Sequence, residues 1–198
     1  MSVPRQYQLE FTCGSPQQTE SLGRILGQLL RAGDLICLSG DLGAGKTVLS
    51  RGIGAGWGAA TPLTSPTFNL VHEHTRAIDD ARLFHIDCYR ISGSGAADSI
   101  GLDDILDSSA TALLEWPERI QTVLPSARMW IDILDSGGSQ RHLVFEACGD
   151  RYVTLLARYQ QLIGRKYDQA DSRWATANVS AALTQNNKPS PCMCKGIC

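Results

Sequence analysis

The segment Gly40–Thr47 has the composition and spacing that point most directly to chemistry. Its residues, Gly-Asp-Leu-Gly-Ala-Gly-Lys-Thr, fit the phosphate-loop pattern G-x-x-x-x-G-K-[ST]. The glycines let the backbone turn tightly so that its N–H groups face phosphate oxygens, and the helix that follows adds its positive N-terminal end. In such a loop Lys46 neutralises phosphate charge and the Thr47 hydroxyl is a ligand of Mg²⁺. The segment therefore predicts a nucleotide phosphate site.

A phosphate loop needs a metal-holding carboxylate at the end of a neighbouring strand, and Asp87 fits this requirement. It ends the apolar run Leu83–Asp87, as in a Walker B element. Strand alternation places Asp87 on the same face as His85. Two interpretations of Asp87 are open, a metal ligand and a turn cap. For His85 we favour a structural role over a catalytic one.

Glu115 is a second carboxylate at the end of an apolar run, Ala112–Leu114. Pro117 stops strand pairing just after it, so Glu115 is expected at the carboxyl edge of the sheet, where open α/β sheets bind ligands. From these residues alone, a functional and a structural Glu115 are equally supported. Trp116 either covers the site or packs beside it.

A loop rich in hydroxyl groups, residues 64–67, precedes the next expected strand. Thr67 is placed either to touch the γ-phosphate or its metal ion, or to initiate the strand in a turn. No N-K-x-D element for guanine recognition is found, because Asn187-Lys188-Pro189-Ser190 lacks the aspartate. A GTPase is therefore disfavoured.

The elements that must position these residues follow from the hydrophobic pattern. Alternation over Tyr7–Phe11 and a continuous apolar run over Leu35–Leu38 predict strands. Further strands are predicted at Phe68–Val71, Leu83–Ile86, Ala112–Leu114, Trp130–Leu134 and His142–Ala147, and helices at 16–30, Lys46–Trp57, Ser99–Leu106, Pro117–Val123 and Val153–Ile163. Strands interleaved with helices predict an α/β fold, a three-layer sandwich of the P-loop NTPase type around a largely parallel central sheet.

Composition narrows the class of protein. The chain has 198 residues, of which 43% are hydrophobic, and its 18 basic and 20 acidic residues give a net charge of −2. This length and composition predict one domain with a true core, and the charge balance disfavours a strongly basic nucleic-acid binder. No signal peptide and no apolar run long enough to span a membrane are found. We expect a cytoplasmic protein whose seven cysteines form no disulfides.

A change of composition near Lys166 predicts a domain boundary. Residues 1–165 are expected to form the ATPase domain, and residues 166–198, which are rich in polar residues and poor in large aliphatic ones, a flexible tail. Cys192, Cys194 and Cys198 resemble half of a metal site. A closed zinc site needs four ligands, so an unstructured tail is favoured.

The combination of motifs resembles the TsaE (YjeE) family, small bacterial P-loop ATPases of tRNA modification. The resemblance rests on Gly40–Thr47 and on Ser-Pro-Thr-Phe-Asn-Leu-Val at 65–71, Phe-His-Ile-Asp-Cys-Tyr-Arg at 84–90 and Leu-Glu-Trp-Pro-Glu at 114–118, in the family's order. It covers about residues 7–160. Two departures are His74, where the family often has Tyr, and the tail, which has no counterpart.

The resemblance implies a role for each matched residue. The nucleotide would be bound by one continuous loop and one later arginine: Gly40, Asp41, Leu42, Gly43, Ala44, Gly45, Lys46, Thr47, Val48 and Arg141. Lys46 would act on the phosphates, Thr47 and Glu115 would hold Mg²⁺, and Asp87 would support the metal ion or the catalytic water. The resemblance also favours a functional Thr67, so the implied catalytic residues are Lys46, Thr67, Asp87 and Glu115.

The function that the resemblance implies is a Mg²⁺-dependent, partner-stimulated ATPase. It would act with TsaB and TsaD in making threonylcarbamoyladenosine at position 37 of tRNA, and would reach tRNA only through that complex. Two alternatives remain: a small-metabolite kinase on a P-loop scaffold, and a nucleotide-sensing binding module. Neither explains why the three motifs that follow the phosphate loop, at 65–71, 84–90 and 114–118, occur together.

Overall fold

Seven strands and four α-helices form within the residues that the computed structural model describes, 6–66, 70–91 and 101–169. The strands are β1 (Gln6–Cys13), β2 (Leu35–Ser39), β3 (Val71–Arg76), β4 (Asp79–Asp87), β5 (Thr111–Glu115), β6 (Arg128–Asp135) and β7 (Arg141–Cys148). The helices are α1 (Pro16–Gly27), α2 (Lys46–Trp57), α3 (Leu102–Asp107) and α4 (Asp150–Gln169), with 3₁₀ turns at Pro117–Arg119 and Gln121–Val123. The helix predicted at Pro117–Val123 is thus two short turns.

The strands form one sheet in the order β1-β7-β6-β2-β5-β4-β3. The four central strands, β6, β2, β5 and β4, are mutually parallel, whereas β3, β7 and β1 pair antiparallel at the two edges. This arrangement confirms the predicted α/β fold with a largely parallel centre. The carboxyl ends of β2, β4 and β5 meet at the same edge, so residues that follow them are brought together.

The edge strand β3 differs from its prediction. The expected strand at Phe68–Val71 overlaps β3 at Val71 alone, and residues 67–69 lie outside the described ranges. The strand continues to Arg76 and pairs antiparallel with β4. Its residues are mostly polar and partly exposed, which an edge strand tolerates. The prediction relied on apolar residues, and this strand has few of them.

Two hydrophobic cores lie on opposite faces of the sheet. The larger core packs α1, α2 and α4 against one face, with Leu38, Leu83, Leu113 and Ile131 among its sheet residues. The smaller core packs α3 and the 3₁₀ turns against the other face. Alternate residues of each strand enter different cores, and this alternation decides which strand-end side chains face α2.

Helix α1 begins at its predicted position, with Ser15 as N-cap and Pro16 in the first turn. The Ser15 hydroxyl accepts a hydrogen bond from the Gln18 amide, while the Gln18 side-chain oxygen accepts one from the Gly14 amide. The helix ends at Gly27, and the predicted continuation to residue 30 is a tighter turn in which Leu30 N–H bonds to Gly27.

Helices α1 and α2 approach closely at glycines. A Cβ atom added at Gly27 would lie 2.1 Å from the Ile53 carbonyl oxygen, and one added at Gly56 would lie 2.0 Å from that of Arg24. No side chain fits in this crossing. The glycines therefore set the distance between α1 and α2.

The end of the described chain is helical. Helix α4 runs to Gln169, four residues beyond the predicted domain boundary at 165, and residues 170–198 are outside the described ranges together with Cys192, Cys194 and Cys198. Cys13, Cys37 and Cys88 are free and buried. Cys148, at the end of β7, is disulfide-bonded, so the expectation of seven reduced cysteines is wrong there. No helix in the described ranges is both long and apolar enough to cross a membrane.

Candidate nucleotide-binding site

The loop between β2 and α2 has a backbone that requires glycine. The φ angles of three loop residues are positive: 144° at Gly40, 79° at Gly43 and 109° at Gly45. Residues other than glycine rarely adopt such angles. A Cβ atom at Gly40 would also lie 2.4 Å from the Ile133 carbonyl oxygen. Around Gly43 and Gly45, by contrast, no atom of the described chain lies within 4 Å of a built Cβ. The loop is thus closed toward β6 and open on its other side.

The start of α2 suits an anion. Gly45 is its N-cap, no side chain of the described ranges caps it, and its first turn carries no acidic residue. The unpaired amides and the helix dipole at such an end favour negative charge. Phosphate is the group for which this loop pattern is suited.

Lys46 lies at the centre of the loop. Its Nζ donates hydrogen bonds to the carbonyl oxygens of Gly40, at 2.6 Å, and Asp41, at 2.9 Å. The side chain is buried, and this burial lowers the pKa of Lys46 even though Glu115 and nearby acids act to raise it. A buried ammonium held by neutral carbonyl groups gains most from an added anion. The geometry of Lys46 therefore fits a phosphate.

Asp87 and Glu115 are brought side by side by the sheet. They are the last residues of the adjacent parallel strands β4 and β5, and their Cα atoms are register partners. Both are buried, with exposed fractions of 4% and 3%. Asp87 Oδ1 accepts a hydrogen bond from the Tyr89 amide at 2.9 Å. Register partners on parallel strands face the same side, so the two carboxylates share one site.

Glu115 is held by two buried side chains that sequence reasoning did not connect with it. Its Oε1 accepts from Ser50 Oγ at 3.0 Å and lies 2.9 Å from His85 Nε2. Ser50 is on α2, one turn after Lys46, and its hydroxyl also approaches the Lys46 carbonyl oxygen at 2.9 Å. This position agrees with the expected structural role of His85. The residue that His85 contacts, Glu115, belongs to the site.

A cavity of about 360 Å³ joins the loop to the carboxylates. It is lined by residues of the loop, of α2 and of the strand ends: Leu42, Gly43, Gly45, Lys46, Thr47, Val48, Ser65, Asp87, Tyr89, Glu115 and Trp116. Most of the predicted site residues therefore surround one space. Gly40, Asp41 and Ala44 do not line it, and Thr67 lies outside the described residues.

Arg141, predicted to approach the nucleotide, lies behind the loop at the start of β7. Its Nε donates to the Ala44 carbonyl oxygen at 2.9 Å, and its Nη1 donates to the Asp135 carboxylate and to the carbonyl oxygens of Gly138 and Gln140. This guanidinium braces the loop backbone against the β6–β7 turn. A contact with nucleotide stays a prediction.

The donor set fits a magnesium ion. Thr47, Asp87 and Glu115 offer a hydroxyl and two carboxylates around the cavity, and Mg²⁺ prefers oxygen ligands, usually one or two carboxylates completed by water and phosphate oxygens. Within the described ranges no group of three or more His, Cys, Asp or Glu side chains is arranged to hold a metal ion. An ion here would thus need ligands from the nucleotide and from water.

Two residues of the site lacked an obvious signal in the sequence. Ser50 was detectable only as a polar residue four positions after Lys46, between the buried Leu49 and Ile53. Tyr89 follows Asp87 in the matched motif, and its ring packs against Trp116 at a tilt of 54°, with centroids 4.9 Å apart. Trp116 covers the cavity from the other side, with its ring centroid 3.7 Å from Lys46 Nζ. Trp116 also packs against the smaller core, so both alternatives for this residue are observed.

Comparison with known proteins shows the family. The family model for threonylcarbamoyl adenosine biosynthesis protein TsaE matches residues 13–143. The tRNA threonylcarbamoyladenosine biosynthesis protein TsaE of Bacillus subtilis is 32% identical over 148 residues, which are 75% of this chain and 91% of that protein. The protein of the same name from Streptomyces coelicolor is 41% identical over 138 residues, 67% of this chain and 93% of that protein.

A solved structure agrees with these relatives. The crystal structure of YdiB from Bacillus subtilis superposes with a TM-score of 0.67 and 28% sequence identity, covering 82% of this chain and 99% of that one. The matched region includes the phosphate loop, both strand-end carboxylates and Arg141. The chain therefore belongs to the TsaE family of threonylcarbamoyl adenosine biosynthesis proteins.

Proposed function

We propose that the chain binds ATP together with Mg²⁺ and hydrolyses it in the biosynthesis of tRNA threonylcarbamoyladenosine, acting with homologues of TsaB and TsaD in the cytoplasm. The names of its relatives support the role in this tRNA modification. The observation that carries the ATPase proposal is the position of Lys46, Asp87 and Glu115 around one cavity. A buried cation on a phosphate loop opposite two buried carboxylates is the arrangement that a metal–nucleotide complex needs.

Each residue has a distinct part in this proposal. The backbone amides at the start of α2 and the Lys46 ammonium bind and orient the phosphates, and Arg141 keeps the loop in its binding shape through Ala44. Thr47 and Glu115 hold the metal ion, which, when bound, neutralises charge on the phosphate oxygens. Asp87 orients a water molecule or completes the metal site. Trp116 and Tyr89 limit solvent access to the cavity.

The experiment that tests the proposal measures ATP hydrolysis by the full chain alone and with TsaB, TsaD or both. We expect weak Mg²⁺-dependent hydrolysis by the chain alone and a marked rise with both partners. Glu115→Gln is the control for contaminating ATPases, because it keeps the side-chain shape and removes the charge. Hydrolysis that does not respond to the partners would contradict the proposed function.

The same assay distinguishes the two alternatives. Nucleotide turnover that depends on an added phosphate-accepting metabolite, and not on a protein, would indicate a small-metabolite kinase. Tight ATP binding without hydrolysis, even beside both partners, would indicate a nucleotide-sensing module.

A further inference from the structure

We infer that His85 is a positioning residue for Glu115: its imidazole N–H holds one carboxylate oxygen and thereby directs the other toward the metal ion. This inference rests on the proposed function, since it concerns the same Mg²⁺–nucleotide site. The observation behind it is the 2.9 Å separation of His85 Nε2 and Glu115 Oε1, two side chains that are 0% and 3% exposed.

The surroundings of the His85 ring show which of its two nitrogens carries the hydrogen. Nε2 faces the Glu115 carboxylate, an acceptor, and Nδ1 is buried without a hydrogen-bond partner among the described residues. A hydrogen on Nδ1 would be a buried donor with no acceptor, while Nε2 and the carboxylate oxygen would face each other without one. The ring is therefore the Nε2–H tautomer, which donates to Glu115.

Ser50, on α2, also contacts Glu115. Its hydroxyl, 0% exposed, lies 3.0 Å from the same oxygen, Glu115 Oε1. The side-chain contacts of Glu115 in the described chain thus fall on Oε1, and Oε2 is the oxygen left for the cavity that Glu115 lines. The His85 imidazole on β4 and the Ser50 hydroxyl on α2, whose one hydrogen also faces the Lys46 carbonyl oxygen at 2.9 Å, together restrict the carboxylate to one orientation.

The register of β4 and β5 places His85 within reach of Glu115. Its register partner on β5 is Leu113, two residues before Glu115. The His85 side chain therefore extends along the strand direction to contact the Glu115 carboxylate. His74, on the neighbouring edge strand β3, is also a buried histidine, but its Nδ1 lies 3.4 Å from the hydroxyl of Thr61. His74 therefore provides a matched control for the loss of a buried imidazole.

The experiment compares wild type with His85→Leu, His85→Gln and His74→Leu in the full chain. ADP binding is measured by calorimetry at increasing Mg²⁺ and in excess chelator. Loss of a residue that orients a metal ligand weakens metal binding by about 10–100-fold, so His85→Leu should need at least about tenfold more Mg²⁺ for half-maximal enhancement of ADP binding. Binding in chelator should be unchanged. His85→Gln, which retains an N–H donor, should recover most of the loss, and His74→Leu should match wild type.

Two results would overturn the inference: an unchanged Mg²⁺ requirement in His85→Leu, or equal impairment in His85→Leu and His85→Gln. If His85→Leu does not fold, imidazole ¹H–¹⁵N NMR spectra of the intact wild-type chain test the inference instead. They should show His85 as the Nε2–H tautomer, with a signal that shifts in Glu115→Gln. An Nδ1–H tautomer, or a signal that Glu115→Gln leaves in place, contradicts the inference. A wild type without any Mg²⁺ dependence would instead refute the proposed function, and the spectra would still test the His85 contact.

Discussion

The ammonium group of Lys46 lies 3.7 Å from the centroid of the Trp116 ring. The same indole packs at a tilt of 54° against Tyr89, whose ring in turn lies 5.6 Å from the guanidinium carbon of Arg119. Trp116 has a φ angle of 60°, which non-glycine residues adopt rarely. A strained backbone thus keeps an aromatic ring against the cation that is proposed to bind phosphate.

We predict that nucleotide binding changes the fluorescence of Trp116. A phosphate competes with the ring for the Lys46 ammonium, and a cation over an indole face contributes about 0.5–2 kcal/mol. Addition of ADP and Mg²⁺ should therefore alter the emission of the wild-type chain. Trp116→Phe should remove the change while keeping an aromatic ring over the site. A response that persists in Trp116→Phe would come from the other three tryptophans and would contradict the prediction.

Lys46→Ala should weaken nucleotide binding at least about tenfold while the fold persists, because a charge-assisted hydrogen bond contributes about 1.5–3 kcal/mol. Calorimetry measures the affinity and circular dichroism the fold. Arg51→Ala is the matched control, since Arg51 is an exposed cation on the same helix and does not line the cavity. ATP binding that is unchanged in Lys46→Ala would refute the phosphate-loop assignment.

Glu115→Gln should reduce Mg²⁺-dependent hydrolysis much more than it reduces stability. The amide retains a carbonyl oxygen that can accept from His85 and Ser50, so the buried contacts survive, but the lost charge weakens a site for a hard cation. The assay is partner-stimulated ATPase at several Mg²⁺ concentrations, with melting temperature as the control. Normal hydrolysis would show that Glu115 is not a metal ligand.

Gly27→Ala should destabilise the chain by about 1–3 kcal/mol, as overpacking of a close contact does. Its Cβ atom would lie 2.1 Å from the Ile53 carbonyl oxygen, so the backbone of α1 or α2 would have to move. Gly164→Ala is the control, since that exposed glycine of α4 has no atom of the described chain within 4 Å of a built Cβ; it should stabilise by up to about 1 kcal/mol. Urea denaturation measures both changes, and equal stabilities would contradict the close α1–α2 contact.

Residues 166–198 should be dispensable for the ATPase core. They contain few large aliphatic side chains with which to offset an ordering entropy of about 1–2 kcal/mol per residue. In reducing buffer, where the disulfide of Cys148 is open, melting temperature and partner-stimulated ATPase rate should be similar for the full chain and for chains ending at Arg165 or Gln169. The second truncation keeps α4 whole, so it distinguishes the loss of helix from the loss of the tail.

A drop of more than a few degrees in both shortened chains would place the domain boundary beyond residue 169. Activity that zinc restores in the full chain alone would indicate a structural role for Cys192, Cys194 and Cys198.

The local elements were largely predictable because their signals lie within a few residues of each other. The limits of α2 follow from Gly45 before it and Gly58 after it, both with positive φ angles. The polar edge strand β3 was not predictable in the same way, because its stability comes from pairing with β4 and not from its own pattern.

The phosphate loop between a buried strand and a helix follows from local sequence alone, since Gly40–Thr47 and the flanking apolar runs are contiguous. Which side chains meet that loop depends instead on contacts between distant parts of the chain. Glu115 lies 65 residues from Ser50 and 30 from His85 in the chain, and Arg141 lies 97 residues from Ala44. Contacts over such separations depend on strand order, register and the close α1–α2 crossing, which are set by the packing of the whole core and not by any local pattern.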